Sequence, residues 1–250
     1  MIIFGRRIPM IFALLIWLLV WEAIGRAELL FLIPPFADVV RAMFKLLATG
    51  KFYQAVSVSF IAFSTGMMIS ISIGIPLGIL MGRVRFIDEL LGMWVNVFVS
   101  APLTAIVPAL MVLTGFGQTT VIVTVILFSV WIITLDTRAG VRNINPSLLE
   151  MGRSFGANKL QLYTKVIFKA ALPEILAGLR LGLIRGVRGV IVGQLLIAII
   201  GLGELFELYS RSFLMDRFWA LVIMIFLFAY MISEAVNHLE KRIEFWASTR

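Results

Sequence analysis

Arginine is rare inside apolar runs, yet this chain carries three in one. Arg180, Arg185 and Arg188 fall within Glu174 to Ile200, a segment otherwise made of Leu, Ile, Val, Gly and Ala except for Gln194 and its leading glutamate. Read as a helix, the segment rises about 1.5 Å per residue, which puts Arg180 roughly 9 Å in and Arg188 roughly 21 Å in from Glu174. Arg180 is shallow enough to snorkel back to a surface. Arg188 lies past the middle of a hydrocarbon layer about 30 Å thick, where a guanidinium must face protein, water or a counter-charge. Arg185 and Arg188 are three apart and share a face, with Gln194 deeper. Such a group can line a path that attracts an anionic solute, and the hydroxyls of Ser100 and Thr104, either side of Pro102, are assigned to the same path. The other readings are a structural pairing with a carboxylate such as Glu22, or a shallower helix.

Other chemistries are excluded. The chain has no cysteine, and its one histidine is His238, so thiolate and multi-histidine metal sites are ruled out. No metal site is expected. Gly201-Leu202-Gly203 lacks the third glycine and the preceding strand of a dinucleotide fingerprint, and no phosphate-binding loop occurs. There is no catalytic triad; Glu204 and Glu207 are expected to be solvated loop charges. The chain is therefore not expected to be an enzyme and needs no cofactor of its own. Any ATP hydrolysis belongs to another chain.

The elements that must position these groups are membrane spans. Of 250 residues, 61% are hydrophobic and 14% charged, far from the balance of a water-soluble domain. Six segments are long and apolar enough to span: about 8–25, 54–82, 87–115, 119–136, 174–200 and 218–237. The first follows Arg6 and Arg7 but has no small-residue cleavage site, and is read as a retained helix. Pro102 and Pro108 predict that the third is two helical pieces. The net charge of +8 raises the question of nucleic acid, but its distribution speaks for topology. With both termini inside, cytoplasmic segments hold thirteen Lys and Arg, including Arg83, Arg85, Arg138, Arg142 and Arg153, against six outside. The expectation is one all-α integral membrane domain spanning 1–250, among membrane lipid, with no nucleic-acid partner.

Two connecting segments look structured. Pro34-Pro35 and the amphipathic stretch Ala37–Ala48 predict an external surface helix. The segment 137–173 is too polar to span and helix-compatible from Leu148 to Ala171, so it is the expected docking platform for a soluble partner. Small residues recur every fourth position at Gly66, Ser70, Gly74, Gly78 and Gly82, and again at Gly178, Gly182, Gly186, Gly189 and Gly193. Such ridges let a neighbouring helix approach closely.

Asp136-Thr137-Arg138-Ala139-Gly140-Val141-Arg142, then Pro146, then Glu150-Met151-Gly152-Arg153-Ser154-Phe155-Gly156-Ala157 resemble the cytoplasmic EAA loop of binding-protein-dependent ABC importer permeases. Glu150 and Gly156 have that loop's spacing, and Val166 stands where isoleucine is usual. Met151 and Gly152 replace its two alanines, and Phe168-Lys169 replaces Leu-Pro, with Leu172-Pro173 following. Pro102–Pro108, Gly115-Phe116-Gly117, Gly74-Ile75-Pro76-Leu77-Gly78 and Gly201-Leu202-Gly203 match further habits of the family, while Ala62 stands where an arginine is familiar. The nearest subgroup looks like permeases for nitrate, sulfonates, taurine and pyrimidine-type precursors.

The resemblance implies a type I importer permease fold with a cytoplasmic coupling helix, expected to centre on Ser154–Ala157. It implies that Glu150, Met151, Gly152, Ser154, Phe155, Gly156 and Ala157 meet an ABC ATPase subunit that binds the ATP. It implies an extracytoplasmic solute-binding protein and a second permease subunit, in the first instance another copy of this chain. Transport would be ATP-driven import by alternating access, with a sulfonate, taurine, nitrate or a pyrimidine or vitamin precursor as solute. The alternative is a secondary transporter or channel without an ATPase.

Overall fold

A computed structural model describes residues 2–3, 6–7 and 10–248, with side-chain surroundings from 12 to 231 and at 234. After a two-residue pairing of β1 (Ile2–Ile3) with β2 (Arg6–Arg7), the described chain is helical. In order come α1 (Met10–Arg26), α2 (Phe36–Leu47), α3 (Gly50–Arg83), α4 (Arg85–Ser100), α5 (Val107–Thr114) and α6 (Gln118–Arg142). Then follow the short α7 (Pro146–Ser154), α8 (Lys159–Gln161) and α9 (Phe168–Ala170), and the long α10 (Leu172–Ile197), α11 (Gly201–Arg211) and α12 (Met215–Ser248). The six expected spans overlap α1, α3, the α4–α5 pair, α6, α10 and α12 in position, and up to four of the described segments are long and apolar enough to cross a membrane.

By length and composition α3 and α6 can each cross a bilayer unbroken. Two further pairs qualify as broken spans: Arg85–Ser100 with Leu103–Thr114, bent by 96°, and α10 with α11, bent by 49°. The first break follows from Pro102, which has no N–H to donate. There Ala101 N–H still closes α4 onto Val97 O, but Leu103 N–H turns back to Ala101 O and starts the 3-10 turn Leu103–Ile106.

The small-residue ridges decide the centre of the bundle. On α3, Ala55, Ser59, Ala62, Gly66, Ser70, Gly74 and Gly78 are buried, while Phe60, Met68 and Ile73 face outward. Small residues inside and large apolar ones outside is the pattern of a helix solvated by lipid tails. A side chain at Gly66, Gly74, Gly78 or Gly82 would meet Val125, Ile133, Thr137 or Val141 of α6, in that order, so α3 and α6 run parallel. Between them the Ser70 and Ser129 hydroxyls lie 3.0 Å apart. On the other flank of α6, Gly178, Gly182, Gly189 and Gly193 of α10 lie against Asp136, Ile133, Val125 and Val121, an antiparallel match. Val125 and Ile133 are thus seated between glycines on both sides. The buried hydroxyls of Thr124 and Thr134 donate to the carbonyls four residues earlier, so these two polar groups are satisfied within α6 itself.

At one end, Trp21, Val39, Leu46, Tyr209 and Leu221 join α1, α2, α11 and α12 in an apolar cluster. Gly25 is overlain by the Pro34-Pro35 backbone, and Trp21 Nε1 donates to Pro34 O at 3.0 Å. At the opposite end, Val141, Leu149, Leu162, Ile167, Ala171 and Ile175 pack α7–α9 onto α6 and α10.

Three expectations are corrected. The helix-compatible stretch from Leu148 to Ala171 is not helical throughout: α7 ends at Ser154, and a second arm then runs from α8 through the π-helical stretch Leu162–Ile167 into α9. Glu204 and Glu207 are not in a loop but on α11, where Glu207 pairs with Arg211 one turn on. Glu22 does not pair with the arginines of α10. One of its oxygens holds Arg26 and the other accepts from Ala37 N–H at 2.9 Å, at the positive end of α2.

Candidate functional site

The segment between α6 and α10 is a helix–turn–helix with every cap supplied by its own sequence. Asn145 starts α7 by accepting from Ser147 N–H at 3.0 Å, with Pro146 at the first helical position. The helix stops in a Schellman motif: Ala157 N–H reaches Gly152 O and Gly156 N–H reaches Arg153 O. Gly156 has φ +75°, where a side chain is strained, and nothing lies near it. Asn158 and Gln161 then close a capping box that starts α8.

This geometry moves the expected coupling helix. Ser154–Ala157 is not its centre but the elbow between two helices, because glycine at positive φ ends a helix. Gly152 is buried where α7 meets the second arm; a side chain there would touch Leu162 and Val166. Glu150, Met151, Ser154 and Phe155 are exposed and Ala157 is half-buried. Phe155 is 86% exposed at the tip, with Met151 and Leu160 also open.

The residues assigned to a solute path do not all meet. Arg185 is half-buried, and its Nη1 donates to Val99 O at 3.3 Å. That carbonyl lies in the last turn of α4, beside the break, where helix acceptors go unsatisfied. On the facing helix α6, one oxygen of Asp136 is buried without a hydrogen-bond partner among the described residues. Arg188 turns the other way and is exposed in a cleft of about 430 Å³ formed with Ile184, Ile191, Leu195, Phe206, Val222 and Phe226. Arg180 is half-buried and already engaged. Ser100 ends α4 and Thr104 lies in the 3-10 turn, both exposed at the break.

Gln194 is 1% exposed and faces no open path in this conformation. Its Oε1 accepts from Ser59 Oγ at 2.8 Å and from Leu202 N–H at 3.2 Å, clasping the bend between α10 and α11. Gly201, at φ +61°, and Gly203 both lie against Gln194, with no room for a side chain. Residue-by-residue reading missed a second cluster. Asp88 near the start of α4 is ion-paired with Arg138 and, at 3.1 Å, with Arg142. Its only signal in the sequence is an acid shortly after Arg83 and Arg85, with Gly92 one turn on.

The fold and the loop together define a membrane-embedded helical bundle with a two-armed appendage on the end where α6 leaves and α10 enters. The chain belongs to the family described as the binding-protein-dependent transport system inner membrane component, whose model matches residues 74–245. Among its relatives, the taurine transport system permease protein TauC of Escherichia coli (strain K12) is 25% identical over 240 residues, covering 93% of this chain and 87% of the relative. The glycine betaine/carnitine/choline transport system permease protein OpuCD of Bacillus subtilis (strain 168) is 32% identical over 147 residues, 59% of this chain and 62% of that protein. An inward-facing structure of the MetNI methionine ABC transporter shares the fold, with a TM-score of 0.61 and 20% identity over 80% of this chain and 97% of that one. A structure described as an amino acid ABC transporter with histidines also shares it, with a TM-score of 0.58 and 18% identity over 79% and 98%. The protein is a permease subunit of an ABC importer, an all-helical component of the inner membrane.

Proposed function

We propose that this chain forms the membrane pathway of an ATP-driven importer by pairing with a second permease subunit, another copy of itself, and docking an ABC ATPase on α7–α9. The carrying observation is Phe155, a large apolar side chain almost fully exposed at the tip of a well-capped elbow. A bare aromatic on a rigid mount fits a pocket on a partner far better than it fits water. The loop would lie in the cytoplasm together with both termini, as the arginine distribution favours. Closure of the ATPase pair would then move the elbows as rigid bodies and tilt the bundle between inward- and outward-open states. An extracytoplasmic binding protein would deliver the solute at the end holding α2 and α11.

The solute favoured is a small organic anion of the sulfonate or taurine type. Arg188 supports this, as an arginine open to a cleft within the span, and so does the taurine transporter among the relatives. A pull-down from detergent-solubilised native membrane tests the ATPase reading. Wild type is expected to recover an ATPase subunit in equal amount, and Phe155→Asp to lose at least about tenfold of it, as for a buried aromatic anchor. Phe155 touches little of its own chain, so the variant should still fold. Undiminished capture by Phe155→Asp, or transport by the chain alone in ATP-free vesicles, would overturn the proposal, the latter in favour of a secondary carrier.

A further inference from the structure

The α4–α5 span carries the break and the two exposed hydroxyls, yet α4 packs on α3 and α6 and makes no substantial contact with α7–α9. Force arriving at the loop therefore reaches α4 indirectly, either through α6 or through α3, which packs Ile75 and Ile79 against the loop cluster and is joined to α4 at Val84; only α6 meets α4 through a charge pair among the described residues. The connection is short. Arg142 is the last residue of α6, and Asn145, which caps α7, follows three residues later. Arg142 Nη1 lies 3.1 Å from Asp88 Oδ2, and Arg138, one turn earlier on α6, is ion-paired with the same carboxylate. The Asp88 and Arg138 side chains are only 15% and 17% exposed, so water screens this pair weakly. Gly92, one turn on from Asp88, lies beside the same guanidinium: a Cβ there would stand 3.5 Å from Arg138, in ordinary contact. Higher on the same two helices, Phe98 stacks on Trp131 with ring centroids 4.5 Å apart and planes 7° from parallel. At the far end of α4, Arg185 of α10 holds the Val99 carbonyl.

We propose that Asp88 is a positioning residue that transmits movement of the α7–α9 loop to the broken α4–α5 span, through its ion pair with Arg138 and Arg142. With the carboxylate in place, displacing the C-terminal end of α6 carries the start of α4 with it. The far end of α4 is held to α10, so the motion is delivered at the break and swings Ser100 and Thr104. Without the carboxylate, α6 and the loop still move with the ATPase, but α4 slips. The inference rests on the reading that α7–α9 docks an ATPase.

The test uses the complete importer in proteoliposomes with its ATPase and binding protein, measuring solute uptake and ATP hydrolysis in the same preparation. Asp88→Asn is expected to lower uptake per ATP hydrolysed by about tenfold, a typical size for coupling between distinct sites, while hydrolysis and ATPase co-purification stay within about twofold of wild type. The exchange Asp88→Arg with Arg138→Asp is expected to recover most of the ratio, which neither single change does. A merely structural role would lower uptake and hydrolysis in proportion, and that result overturns the proposal. So does an unchanged ratio in Asp88→Asn, or an exchange variant that folds and assembles without recovery. If the wild-type chain recruits no ATPase, it is the docking reading that fails, and the pull-down reports that separately.

Discussion

Gly78→Ala adds one methyl group at the tightest part of the α3–α6 seam, and its cost can be worked from the distances. The new Cβ would stand 2.6 Å from Thr137 Cβ and 2.7 Å from the Thr134 carbonyl oxygen. Carbon atoms in contact sit about 3.5–4.0 Å apart, so the two helices would have to separate by about 1 Å at that level. The backbone oxygen cannot rotate aside as a side chain could. Separation there would also loosen the seats of Val125, Ile133 and Val141 against Gly66, Gly74 and Gly82 on the same seam. Overpacking of this kind costs about 1–3 kcal/mol. At about 2–4 °C per kcal/mol for a chain of this size, the melting temperature should fall by roughly 2–12 °C. Gly50→Ala is the matched control, since nothing lies within 4 Å of its Cβ position. The assay is a thermal melt of detergent-solubilised protein followed by intrinsic fluorescence at a fixed scan rate. If Gly78→Ala melts within about 1 °C of Gly50→Ala, the seam is not close-packed and the argument from glycine spacing is refuted.

Two other substitutions separate residues that look alike in the sequence. Gln194→Leu removes the main acceptor of Leu202 N–H, leaving only the 3.4 Å contact with Ser59, and is expected to cost about 1–3 kcal/mol. Limited proteolysis should then cut faster near 198–202, and an unchanged cleavage rate would show that the clasp does not hold the bend. Arg188→Gln is expected to reduce anionic solute uptake by about tenfold and to weaken preference over neutral analogues, the size expected of a steering charge. Uptake assays across a solute panel check this; unchanged rate and preference would remove Arg188 from the path.

Spans such as α3 and α6 were legible because lipid demands long apolar runs, and hydropathy records that demand directly. Pro102 announced the break in the third span, although not its 96° bend. The glycine ridges on α3 and α10 announced close packing, but not that α6 fills both. Spacing describes one helix at a time, whereas a seam needs two. The loop signature located the elbow through Gly156, yet placed a helix centre where the chain turns. A glycine marks both small packing sites and left-handed turns, and only the φ of +75° tells which applies.

The candidate solute path was the least legible part. Arg185 and Arg188 lie about 60° apart on a helical wheel, close enough to read as one face. In the bundle one reaches a freed carbonyl of α4 and the other an open cleft, because the neighbours on either side differ. Gln194 looks like a solute ligand in any apolar helix, but its partner Ser59 lies 135 residues away and its other partner is a backbone N–H beyond the bend. The sequence by itself determined that the chain is built to span a membrane, that its third span breaks at Pro102 and which family's loop it carries, because each is written in local runs and spacings. Which polar groups pair with one another and which stay open to a solute was decided only by the tertiary structure, since a buried hydrogen bond or ion pair joins residues that no local pattern connects.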